Sequence, residues 1–67
     1  MIIQPTPDNI RRARDGADLT QAEAAELVHL GSAKRWSEYE RGTQAIELAR
    51  WELFLIKTSQ HEDFAPV

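Results

Sequence analysis

The chain has no cysteine, and this removes a disulfide framework, a thiolate metal site and a cysteine nucleophile together. It has two histidines, His29 and His61, too few and too scattered for a histidine-based metal centre. No apolar run approaches the roughly 20 residues that span a bilayer, and no basic segment leads into an apolar one as in a secretory signal. No paired carboxylates, serine–histidine arrangement or glycine-rich phosphate loop is visible, so neither an enzyme nor a cofactor is expected. Basic charge is also scarce: eight Lys and Arg stand against eleven Asp and Glu, a net charge of −3. Any anion-binding surface must therefore be local. The deficit falls mainly in the second half, where residues 37–67 carry three basic and six acidic groups, while residues 1–36 carry five of each. The expectation is one small cytoplasmic domain with no membrane contact. With 67 residues, a chain buries only about 60% of its unfolded surface, so a partner subunit would add stability.

What is present is helical punctuation. Thr6-Pro7 is an N-cap followed by a first-position proline, and Asp8 puts negative charge in the first turn. This predicts a helix over 7–16. Thr20 and Glu23 have capping-box spacing ahead of a run of strong helix formers, AEAAEL, which predicts a helix over 21–29. Gly31 is expected to supply the positive φ that ends it, with His29 in a capping role at its C-terminus. Ser32 is a candidate cap for a helix over 33–41, and Gly42 a C′ residue that stops it. A fourth helix is expected over 47–57. The fold class is all-α, with an N-terminal arm over 1–6, the four-helix domain over 7–57 and a flexible tail over 58–67.

Helices 2 and 3, with small Ala24 and Ala25 between them and a tight link, have the organisation of a helix-turn-helix. Unrolling helix 3 at about 100° per residue puts Ala33, Lys34, Ser37, Glu38 and Arg41 on one side and Trp36 and Tyr39 opposite. The aromatics are the core anchor, since no neighbouring aromatics form a stacking platform. The other side is short and polar, suited to entering a major groove. Lys34 would donate to a base edge. Glu38 would orient Lys34 through an i,i+4 pair or accept from cytosine. Arg35 lies off that face and would reach a phosphate.

The run LTQAEAAELV…SAKRWSEYERG resembles the lambda-repressor-like, Cro or Xre-type helix-turn-helix regulators over about Ile10 to Leu55. The shared elements are Leu19-Thr20-Gln21, Ala25, Trp36, Tyr39 and Glu40-Arg41-Gly42. The link from Val28 to Ser32 is one residue longer than the family's common pattern, and in this it is similar to phage anti-CRISPR-associated regulators. The resemblance implies a repressor of its own operon that binds an inverted-repeat operator in double-stranded DNA as a homodimer. It implies base contacts from Ala33, Lys34 and Glu38, with Ser37 on the same face. It implies backbone contacts from Thr20, Gln21 and Arg41, and a pair between Arg14 and Glu40.

Helix 4 is apolar round more than half its circumference, which predicts a homodimer contact centred on Trp51, Phe54 and Leu55. The alternative function is an antitoxin-like protein-interaction module on the same scaffold, favoured by the acidic second half. No small-molecule ligand is indicated.

Overall fold

The computed structural model describes residues 3–61. They form four helices: α1 (Pro7–Gly16), α2 (Gln21–Leu27), α3 (Ala33–Arg41) and α4 (Leu48–Lys57). No strand occurs among the described residues, and none of their helices is long and apolar enough to cross a membrane.

The starts of α1 and α2 follow from their local sequence. The Thr6 hydroxyl accepts from the Asn9 N–H at 3.1 Å, with Pro7 at the first helical position. Thr20 and Glu23 satisfy one another's backbone N–H groups at 3.1 and 2.9 Å, so the capping box is complete. Ser32 is extended at φ −159 but makes no side-chain cap bond. Its position as N-cap is as expected and its hydroxyl is not the cap. Glu47 is likewise extended, at φ −66 and ψ 142, so α4 begins at Leu48 rather than at 47.

All four helices, among the described residues, end in the same way. The residue after the last turn takes a left-handed conformation: Asp18 at φ 60, His29 at φ 64, Gly42 at φ 79 and Ser59 at φ 63. The next N–H then reaches back five residues, from Leu19 to Arg14 O (3.2 Å), Leu30 to Ala25 O (2.8 Å), Thr43 to Glu38 O (3.1 Å) and Gln60 to Leu55 O (2.7 Å). These are Schellman motifs. The left-handed residue ending α2 is therefore His29 and not Gly31, and the helix stops at Leu27, two residues before the expected 29. His29 does cap the helix, through its backbone.

The core is built from Ile10 and Ala13 of α1, Ala24, Ala25 and Val28 of the second helical segment, Trp36 and Tyr39 of α3, Ile46, and Trp51, Phe54 and Leu55 of α4. Ala24 and Ala25 let α2 lie close on α3, which also packs on α1. The rings of Trp36 and Phe54 meet at 4.9 Å, and those of Trp51 and Phe54 stack at 6.0 Å. In a chain without disulfides these aromatic side chains, with Tyr39, are the largest that the fold buries fully among the described residues.

Trp51, Phe54 and Leu55 are wholly buried within the chain itself. This corrects the expected dimer contact: none of the three is on a surface. The apolar residues that α4 exposes are Leu48 and Ile56, at 57% and 39%. Its broad apolar circumference is largely core, where Phe54 meets Trp36, and residues expected to be arm and tail are also bonded into the domain. The Ile3 carbonyl accepts from the Trp51 indole at 2.7 Å. Gln60 donates to the Ala13 carbonyl at 3.0 Å, and His61 is buried. Residues 58–61 are thus part of the packed domain and not of a flexible tail. Residues 1–2 of the expected arm and 62–67 of the expected tail lie outside the described residues.

Candidate nucleic-acid interface

The position of α3 is fixed by a carboxylate. Glu40 Oε2 accepts from Arg14 Nε on α1 and from the Trp36 indole, each at 2.6 Å, while Oε1 accepts from Arg14 Nη2 and Gln21 Nε2 on α2, each at 3.2 Å. One side chain therefore ties α3 to both preceding helices. Arg14 also donates to the Leu19 carbonyl at 2.9 Å, which orients its guanidinium. Burial by itself pushes the Glu40 carboxyl up, but the hydrogen bonds from Arg14, Trp36 and Gln21 and the guanidinium charge outweigh it, and the group is held below the ordinary glutamate range. The hydrogen bond to Glu40 in turn raises Arg14. The Arg14–Glu40 pair is as the resemblance implies. The contributions of Trp36 and Gln21 are additional: the i,i+4 spacing of Trp36 and Glu40 on α3 was a local signal that could have shown the first, whereas Gln21 lies 19 residues from Glu40 and its bond was not readable from spacing.

With Trp36 and Tyr39 turned inward, α3 presents the opposite side to solvent. Lys34, Arg35 and Arg41 are exposed, and Ala33, Ser37 and Glu38 are half-buried between them. Neither Lys34 nor Arg41 has an ion-pair partner among the described residues, so both cations are open to an anion from outside. Glu38 does not pair with Lys34 as expected. It faces Arg35, Oε1 to Nε at 3.4 Å, because the i,i+3 neighbour and not the i,i+4 neighbour reaches it. The small side chains of Ala33 and Ser37 leave the helix backbone approachable over two turns.

At the start of α2 the side chains are engaged internally. Thr20 caps the helix by accepting from the Glu23 N–H while remaining exposed, and Gln21 commits its amide to Glu40. Arg50 of α4, not singled out by its sequence setting in LARWELFLIK, bonds the carbonyl of Val28 at 3.2 Å and so ties α4 to the link between α2 and α3. Among the described residues no three His, Asp or Glu side chains gather to hold a metal ion. No known family and no curated protein matches the chain.

Proposed function

We propose that this chain is a DNA-binding protein of the helix-turn-helix class, with α2 and α3 as the motif and α3 as the helix that enters the major groove. Within that class we propose a transcriptional repressor of the Cro or Xre type that regulates its own operon, similar to the phage anti-CRISPR-associated regulators. The carrying observation is the two-sidedness of α3: Trp36, Tyr39 and Glu40 lock it inward, and Lys34, Arg35 and Arg41 stand outward around Ala33 and Ser37. A helix anchored inward through Glu40, with short side chains between exposed cations of which Lys34 and Arg41 have no ion-pair partner among the described residues, fits direct readout of base edges. In this reading Lys34 contacts bases, with Ala33, Ser37 and Glu38 beside it. Arg35 and Arg41 meet phosphates. A homodimer places two copies of α3 on half-sites about one helical turn apart, which makes the operator an inverted repeat. Leu48 and Ile56, exposed on α4, are the apolar residues available to such a contact.

The test is a titration against duplex from upstream of the chain's own gene and against unrelated duplex, at several salt concentrations. Preferential binding that weakens with salt is expected. Lys34→Ala should lose about 1–3 kcal/mol of that preference with the fold unchanged. Failure to bind any duplex sinks this reading and returns the chain to the protein-interaction alternative.

A further inference from the structure

Beside α3, and sharing Lys34, Arg35 and Glu38 with the face just described, lies an open hollow of about 470 Å³ between the α2–α3 link and α4. Lys34, Arg35 and Arg50 line it, with His29 at one side and Glu38 as its one carboxylate. In a chain with a net charge of −3, three cations gather here against two carboxylates, Glu38 in the lining and Glu47 at the rim, a small local excess of positive charge. Arg35 and Glu38 largely answer one another at 3.4 Å. Lys34 has no ion-pair partner among the described residues, and Arg50 is the cation that the fold holds in place.

Arg50 is immobilised from two directions. Its Nε donates to the Val28 carbonyl, and its Nη1 bonds Glu47, whose carboxylate is at the exposed rim. A guanidinium has five N–H donors in a fixed plane. Two are engaged here, and three remain in a geometry set before any ligand arrives. An arginine so fixed suits the planar, two-point recognition of a phosphate oxygen pair, and a lysine beside it adds a point charge. The hollow is shallow and polar, so it suits a group carried on a chain that passes over the surface better than a small molecule enclosed on all sides. Lys34 belongs to both the hollow and the outward face of α3.

We infer that this hollow is a phosphodiester site, in which Arg50, with Lys34, holds a DNA backbone phosphate next to the groove occupied by α3. The inference rests on the DNA-binding reading and adds to it a positioning residue on α4. Arg50 sets where the duplex lies and reads no base.

The experiment measures fluorescence anisotropy of upstream and unrelated duplexes over a salt series, for the wild-type chain, Arg50→Gln and Glu47→Gln, with circular dichroism of each. For Arg50→Gln the expected result is about fivefold weaker binding of both duplexes at 0.15 M salt, with the salt slope reduced by about 0.9, the value of one phosphate contact. Glu47→Gln removes a competing carboxylate at an exposed position, so it should tighten both equally. It also decides the matter if Arg50→Gln does not fold. Wild-type binding that neither substitution alters overturns the inference and leaves the DNA reading standing. A change in the preference between duplexes, at constant slope, also overturns it, because Arg50 would then read bases. A wild-type chain that binds neither duplex removes the DNA reading, and this site with it. Inorganic phosphate at constant ionic strength is the last arm. Competition with duplex in the wild type, lost in Arg50→Gln, supports the site, and saturable phosphate binding that leaves duplex affinity unchanged overturns it in favour of free phosphate.

Discussion

Arg14 and Glu40, 26 residues apart, meet with Nε 2.6 Å from Oε2, and both side chains are largely withdrawn from water, 16% and 7% exposed. A pair in that setting holds geometry more than it adds net stability, because desolvation offsets much of the attraction. Its consequence is that α3 cannot roll about its own axis. Rolling would take Glu40 away from the donors of α1 and α2 and would turn Lys34 off the outward face.

Removing one partner should be costly. Glu40→Ala leaves the Arg14 guanidinium and the Trp36 and Gln21 N–H groups without their acceptor, and a loss of about 3 kcal/mol is expected in urea denaturation. Glu40→Gln keeps an acceptor oxygen and should lose less. A loss below about 0.5 kcal/mol for Glu40→Ala would show that α3 is positioned by its aromatic side chains alone.

Acid should destabilise the domain through the same residue. Glu40 is lowered in the folded chain relative to the ordinary glutamate value of about 4.3. A depressed carboxylate contributes stability that is fully present above the unfolded value and is lost as pH falls through the folded one. Melting temperature should therefore hold from neutrality down to about pH 5 and decline below it. Glu40→Gln should decline less over that lower range, and parallel curves for the two proteins would assign the acid loss to other carboxylates.

The left-handed helix ends separate into two kinds. Ser59 at φ 63 carries a side chain in a conformation that disfavours one by about 1–2 kcal/mol, so Ser59→Gly should stabilise by up to about 1 kcal/mol. Gly42→Ala should destabilise by at least that amount, because φ is 79 and the added Cβ would stand 3.2 Å from Pro7 Cγ. Thermal denaturation of both variants checks the opposite signs.

Substitutions on α4 should divide by burial. Phe54→Glu places a charge among Trp36 and Trp51 and should unfold the chain. Leu48→Glu is at an exposed position and should leave the helices intact. Sedimentation beside circular dichroism then reads out assembly: a helical Leu48→Glu monomer from a dimeric parent would assign the subunit contact to this part of α4, and an unchanged dimer would assign it elsewhere.

The sequence by itself determined the features that depend on a few neighbouring residues. Thr6-Pro7, the Thr20–Glu23 box and the stop at Gly42 act within one helical turn, and each stands where its spacing predicts. The inward side of α3 was equally legible, since two large aromatics three residues apart on a helix have one direction in which to be buried. The tertiary structure decided what depends on distant segments. Trp51, Phe54 and Leu55 look like an interface while α4 is considered alone, because whether an apolar surface is core or contact is a property of what covers it. Here the core helices enclose α4, with the Ile3 carbonyl on the Trp51 indole and buried His61 4.0 Å from Glu52. His29 rather than Gly31 takes the left-handed turn because the bond from Leu30 to Ala25 fixes where α2 ends, and a modest backbone cost at His29 is outweighed by that closure. Glu40 and Arg50 owe their partners to helix packing. The bonds that tie them to other helices and to the α2–α3 link span 19 to 26 residues, a separation at which local spacing carries no information about who meets whom.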